Sequence, residues 1–334
     1  MSTSPKLLTA LLRDVSRSFY LTLRVLPSEV RKQIGIAYLL ARAADTIADT
    51  ELVPAPNRFK ALRALRLQIR ENPDIPLVLD EVISQQGIEA ERVLLTRIDE
   101  VLAALTNQDI SDQQLIIQVL MDIISGQALD VQRFGTASED WIVPLSNDRE
   151  LEDYIYRVAG SVGEFWTKIC REHLFPKAPI DESRFLAQAV RFGKGLQLVN
   201  ILRDLPHDLR QGRCYLPADN LAAIGLTPAD LLDPANEFHL RPLYNEYLAQ
   251  AEAHLVAGWE YTNTLPTNQT RLRIACAWPI LIGMKTIEKL YVGNPLDPAV
   301  SLKATRGEVR WIIFKSVLLA PFKKNWERLG PRAT

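Results

Sequence analysis

The sequence predicts an all-α protein folded as one large helical domain over residues 1–334. Three observations carry this. Long segments with helical hydrophobic period run through most of the chain with few internal Gly or Pro. Alternating apolar and polar runs closed by hairpin turns are scarce. Neither a fixed-period repeat nor a low-complexity linker divides the chain.

The helical segments are 6–24, 28–51, 57–71, 88–105, 111–134, 150–174, 182–205, 240–264, 269–291 and 306–328. Between them stand breakers such as Pro54-Ala55-Pro56, Asn72-Pro73, the stretch holding Pro176 and Pro179, and Asn294-Pro295. Hydrophobic residues make up 47% and charged residues 24%, so a large apolar core is within reach. Lys+Arg is 39 against Asp+Glu 40, a formal net charge of -1, which leaves no electrostatic footprint for a nucleic-acid partner. Three scattered cysteines, Cys170, Cys214 and Cys276, form no CxxC pair, which fits a reducing cytoplasm better than a disulfide framework. Four histidines without HxxxH or ExxH spacing argue against zinc and against a di-iron bundle.

The opening residues, with a Leu-rich turn broken by Arg13 and Asp14, lack the pattern of a secretory leader. No uncharged apolar run reaches the roughly 18 residues of a membrane span. The longest apolar runs are 274–284, which contains Pro279, and 311–322, interrupted by Lys315. The second is followed by Lys323, Lys324 and Arg328. It reads first as a packing helix and second as a segment lying on a membrane surface. The expectation is a cytoplasmic monomer or weak homo-oligomer, with peripheral contact at the inner membrane surface as the route for releasing an apolar product.

The informative chemistry lies on two helices. Residues 34–49 are apolar nearly all round, the mark of a buried helix, yet they include Arg42, Asp45 and Asp49. At about 100° per residue, Tyr38, Arg42, Asp45 and Asp49 fall within an arc of roughly 60°. Residues 195–208 repeat the design: Gln197, Asn200, Asp204 and Asp208 share an arc of roughly 80° among Leu, Val and Ile. An ionised carboxylate in a core costs several kcal/mol unless it is paired or metal-bound. One DxxxD pair is usually a solvated face. Two such pairs, each in an apolar helix with amide or guanidinium companions, point to a cavity that holds cations.

Hard divalent ions such as Mg²⁺ prefer carboxylate oxygens and complete their shell with water and substrate phosphate. With no strong nucleophile in either stripe, the chemistry that fits is ionisation of an allylic diphosphate. The metals would neutralise the departing group, and apolar walls would keep water from the carbocation. Pro206, between Asp204 and Asp208, removes a backbone donor, so a kink or an irregular last turn is expected there and Asp208 is the least secure of the four by geometry.

These residues resemble the squalene/phytoene synthase family in four ordered segments. Ser16-Arg17-Ser18-Phe19 with Leu26-Pro27 looks like its SxSF…LP opening, and residues 38–49 look like its first aspartate motif. Residues 154–163 resemble its YxxxVAGxVG segment, and residues 197–208 with Gly212-Arg213-Cys214-Tyr215-Leu216-Pro217 resemble the second aspartate motif and its GRxYLP tail. The resemblance implies an isoprenoid-synthase fold with a central cavity, Mg²⁺ dependence, and head-to-head joining of two prenyl diphosphates. Carried over by position, Asp45, Asp49, Asp204 and Asp208 would bind Mg²⁺, with Asn200 assisting. Arg42, Arg203 and Arg213 would contact diphosphate oxygens or hold the aspartates, as a planar fork of donors can. Ser16, Ser18 and Phe19 would close over one diphosphate. Tyr38 and Tyr154 would line the reaction centre, with Gln197 and Tyr215 on the substrate. Plainer readings stand beside these: helix-end serines, a core Tyr154, a turn Arg213, and close packing rather than room for a prenyl tail at Gly160 and Gly163.

Within the family, two features favour the squalene branch. Asp45-Thr46-Ile47-Ala48-Asp49 resembles the DTxxD form of squalene synthases more than the DDxxD frequent in carotenoid enzymes. Residues 300–307 resemble that group's basic VKxxRG-like segment, whose Lys303 and Arg306 would contact NADPH phosphate. The preferred expectation is condensation of two farnesyl diphosphates and NADPH-dependent reduction to squalene, without the C-terminal hydrophobic anchor of eukaryotic enzymes. The alternatives are a dehydrosqualene or phytoene synthase, an enzyme that stops at the cyclopropyl diphosphate, and a non-catalytic protein of the same fold.

Overall fold

The computed structural model describes residues 5–16, 19–71 and 76–331. The chain is helical almost throughout. In order it forms α1 (Pro5–Val15), α2 (Phe19–Val25), α3 (Ser28–Asp49), α4 (Ala55–Glu71), α5 (Asp80–Gln85), α6 (Glu89–Thr96), α7 (Ile98–Thr106) and α8 (Ile110–Phe134). Then come β1 (Val143–Leu145), α9 (Asp148–Ile155), a π-helical turn over Tyr156–Gly160, α10 (Ser161–Leu174), α11 (Glu182–Arg210) and β2 (Arg213–Pro217). The remainder is α12 (Ala218–Ala223), two short 3₁₀ turns, α13 (Glu237–Thr264), α14 (Thr270–Val292), α15 (Arg306–Leu319) and α16 (Lys323–Glu327). It divides into two compact units: residues 1–135 with 165–176, and residues 136–164 with 177–334.

In the first unit α3 is the central element, packed by α1, α4, α6, α7 and α8. Pro27, in an extended conformation, sets the chain up to enter α3 at Ser28. Leu39, Leu40, Ala43, Ala44 and Ile47 of α3 are wholly buried. Each large aliphatic side chain so buried contributes about 2 kcal/mol. Among the described residues, α8 alone is long and apolar enough to cross a membrane by length and composition. It packs instead on α3 and α4 and carries the buried Asp112, whose carboxylate accepts from Gln33 Nε2 at 2.9 Å and meets His173 Nε2 at 2.7 Å.

In the second unit α11 lies along α13, α14 and the π turn. Asp181 caps α11 by accepting from the Arg184 amide at 3.1 Å. At its other end Gly212, at φ 77°, turns the chain into β2. Strand β2 pairs in parallel with β1, Val143 opposite Arg213. Helix α15 begins with a capping box, Thr305 with Glu308.

The elements depart from expectation in several places; the segment 88–105, for one, is divided into α6 and α7 at Arg97. The segment 6–24 is two helices, α1 ending at Val15 and α2 starting at Phe19. The segment 150–174 carries the π turn, in which the Ser161 amide donates to the Tyr156 carbonyl. Helix α11 runs through Pro206 to Arg210, so Asp208 stands inside the helix and not on an irregular last turn. A proline near a helix end removes only one internal donor, and Arg210 donates its guanidinium to the Pro206 carbonyl. Helix α15 packs on α14 as expected of a packing helix, with Ser316 fully buried and Trp311, Phe314, Val317 and Leu318 exposed.

Candidate active site

The first stripe lies on α3 as its period requires. Tyr38, Arg42 and Asp45 are half-buried and Asp49 is exposed, while Leu39, Leu40, Ala43, Ala44, Thr46, Ile47 and Ala48 are buried. Asp45 accepts a hydrogen bond of 2.5 Å from Gln127 Nε2 of α8. Its carboxyl is pushed up to about 7, first by burial and then by the charge of Asp49; Arg42 and the Gln127 bond oppose the rise. A third of the Asp45 side chain remains open to solvent.

Arg42 is held from behind. Its guanidinium pairs with Glu91 of α6 and stands 4.0 Å from Asp45 Oδ2. Glu91 is 5% exposed and also accepts from Thr46 Oγ1 at 3.4 Å. Burial alone would lower the Arg42 pKa, but Glu91 outweighs it and the net shift is upward. Glu91 and Gln127 were not anticipated. Gln127 had one usable signal, a polar residue in the apolar stretch of α8. Glu91 had none, because its segment reads as a solvated helix start.

The second stripe lies on α11. Gln197, Asn200, Asp204 and Asp208 are all half-buried, between buried Leu198, Val199, Ile201, Leu202, Leu205 and Leu209. Arg203 clasps its neighbour Asp204 with two bonds, one of them Nε to Oδ1 at 2.8 Å. That pairing, with the nearby charge of Asp208, raises the Arg203 pKa against burial.

The other predicted residues fall into separate groups. Tyr154 and Tyr215 are buried against each other, rings stacked at 4.9 Å and hydroxyls 3.5 Å apart. Arg213 starts β2, half-buried. Ser16 is buried, with its hydroxyl donating to the Leu12 carbonyl at the end of α1. Ser18 and the side chain of Phe19 lie outside the described residues. Lys303 and Arg306 are exposed at the start of α15, on neither stripe. Gly163 is a packing glycine: a Cβ there would stand 2.1 Å from the Ala189 carbonyl oxygen of α11. Gly193 makes the reciprocal approach to Ala159. Cys170, Cys214 and Cys276 are all buried and joined in no disulfide, and burial pushes the Cys214 thiol up to about 12.

The donor set suits a hard divalent cation. Both stripes end in carboxylates, with amide and guanidinium companions and the Tyr38 phenol on α3, and the Asp45 carboxyl is pushed up by burial and then by the charge of Asp49, both of which a bound cation would relieve.

The chain is similar to known proteins along most of its length. The family model for squalene/phytoene synthase matches residues 12–306. A bifunctional lycopene cyclase/phytoene synthase of Podospora anserina is 28% identical over 250 residues, covering 72% of this chain but 40% of that protein. A squalene synthase of Schizosaccharomyces pombe is 24% identical over 310 residues, covering 92% of this chain and 64% of that one. The solved complex of TcSQS with the ligand E5700 has a TM-score of 0.78 at 22% identity, covering 96% of this chain and 88% of that chain, a likeness of fold.

Proposed function

Because the chain belongs to the squalene/phytoene synthase family, we propose that it joins two farnesyl diphosphates head to head and reduces the product to squalene. The observation that carries the reading is the pair of carboxylate-ended polar stripes on the otherwise buried faces of α3 and α11.

In this reading Asp45 and Asp49 would hold Mg²⁺ on one helix, and Asp204, Asp208 and Asn200 would hold it on the other. Bound Mg²⁺ neutralises the charge that develops on a departing diphosphate. The protein's own groups do the rest. Gln127 fixes the Asp45 carboxylate, and Glu91 keeps Arg42 positioned beside it. Arg203 and Arg213 supply guanidinium donors for diphosphate oxygens. Tyr38, half-buried on the same stripe as Asp45, offers a phenol to the leaving group or an aromatic face to the cation.

The carbon–oxygen bond of one prenyl diphosphate breaks, giving an allylic cation and free diphosphate. The double bond of the second substrate attacks that cation, and loss of a proton closes a cyclopropane that still bears its diphosphate. A second ionisation and rearrangement would follow, and NADPH, when bound, would supply the hydride that quenches the resulting cation. Lys303 and Arg306 offer the positive charge that NADPH phosphate would require. The phytoene synthase activity named for the Podospora anserina relative favours a second reading, in which the last cation loses a proton and no reductant is used.

Products formed from farnesyl diphosphate and Mg²⁺, with and without NADPH, separate the two. Squalene only in the presence of NADPH is the expected result. Dehydrosqualene in both tubes overturns the reductive step, and so does a cyclopropyl diphosphate that never progresses.

A further inference from the structure

Helix α15 and the turn after it are anchored to α13 and α14. Ser316, the buried residue of α15, accepts from Trp278 Nε1 at 2.8 Å. Beyond the turn, Trp326 is 1% exposed, stacked on Trp259 at 5.5 Å and covered by the Arg273 guanidinium at 4.9 Å. Its indole donates to Asn263 Oδ1 at 3.0 Å. These anchors fix which face points outward.

That outward face is apolar. Trp311, Phe314, Val317 and Leu318 of α15, and Phe322 just beyond it, are each between 50% and 60% exposed. Positions 311, 314 and 318 fall on one helical face, and the Trp311 and Phe314 rings stack at 5.7 Å. Isolated exposed apolar residues are ordinary, but a contiguous aromatic and aliphatic face marks an interaction surface.

The charge around it identifies the partner. Residues 310–328 hold Arg310, Lys315, Lys323, Lys324 and Arg328 against Glu327 alone, in a chain whose net charge is -1. All five cations are exposed. A second copy of the chain docking by a twofold contact would bring these cations against themselves. An anionic surface is matched by them. An aromatic, aliphatic face rimmed with Lys and Arg is the pattern of a helix lying in a bilayer interface, apolar side chains at the acyl boundary and long cationic arms reaching headgroup phosphates.

We propose that this face of α15, extended by Phe322, docks the protein on an anionic phospholipid bilayer. The proposal is independent of which product the enzyme makes, because it rests on residues that belong to neither aspartate stripe.

The test is co-sedimentation of the full chain with vesicles of phosphatidylcholine alone and with vesicles to which phosphatidylglycerol is added. Binding is expected on the anionic vesicles, with little on the zwitterionic ones, and it weakens as salt is raised. The double substitution Trp311→Ser with Phe314→Ser, and separately Lys323→Gln with Lys324→Gln, should each weaken binding about tenfold or more while thermal melting is unchanged. All of these residues are exposed, and the lysine pair tests the surface even if the aromatic pair perturbs folding. Binding to neither vesicle type overturns the proposal, as does binding that both double variants retain. Concentration-dependent self-association abolished by the aromatic pair overturns it in favour of a second copy.

Discussion

At the scale of single residues, burial opposes ionisation at Asp45 and at His254. Asp45 lies beside Asp49 in a half-buried stripe, and its carboxyl is pushed up to about 7, chiefly by burial. His254 of α13 has the opposite displacement: burial, with Arg191 and Lys194 nearby, lowers its pKa from 6.5 to about 4, against a smaller upward pull from Glu152. Arg191 Nε donates to its Nδ1 at 3.3 Å, which fixes the neutral tautomer. The sign follows from linkage. A group whose folded pKa is depressed takes up its proton more readily in the unfolded chain, so stability is full above pH about 6.5 and is lost as pH falls toward about 4. His254→Gln should therefore flatten the acid limb of melting temperature against pH across that window. Equal slopes in the two proteins would contradict the assignment. The placement of the four aspartates, Arg42, Asn200 and Gln197 on one face of each helix was legible in the sequence, because the helical period alone puts them there; that they serve Mg²⁺ and diphosphate is the proposal above. Glu91 was not legible, since its burial comes from Arg42 and Thr46, far off in sequence.

At the scale of elements, hydrophobic period located the long helices, and the polar stripes survive folding with the burial that the period implies. Three local features were not legible. The π turn at Tyr156–Gly160 is an added residue in a hydrogen-bond ladder, and side-chain pattern does not register it. At Pro206 of α11 the Leu202 carbonyl, which loses its helical donor, accepts instead from the Tyr244 hydroxyl of α13 at 2.9 Å, a long-range partner that the local sequence does not announce. The break between α1 and α2 has no Gly or Pro to announce it. The glycines of the π turn and α10 allowed two readings, and the structure favours packing: Gly163 lies against the backbone of Ala189, and Gly193 against Ala159. Gly163→Ala should thus lower stability by about 2 kcal/mol in urea unfolding, through overpacking against a carbonyl that cannot yield. Gly87→Ala, where a Cβ meets nothing within 4 Å, serves as the control. A Gly163→Ala protein as stable as that control would show that α10 and α11 separate freely there.

At the scale of the whole molecule, the all-helical class and the family were legible because four separated motifs occur in order, and the match runs over residues 12–306. The branch within the family was less so. The relatives include proteins named for phytoene synthase and for squalene synthase, and the distinction lies in how the last cation is quenched, which no single motif encodes. The central claim concerns the step that precedes that choice: two carboxylate stripes that ionise a prenyl diphosphate with Mg²⁺. Its most direct measurement is diphosphate release from farnesyl diphosphate by the purified protein, with Mg²⁺ and with chelator, for the native chain and for Asp45→Asn and Asp204→Asn. The account predicts release by the native chain only when Mg²⁺ is present, and a fall of about a hundredfold or more in each variant with melting temperature preserved. Undiminished release in both variants, or release in chelator, would contradict it.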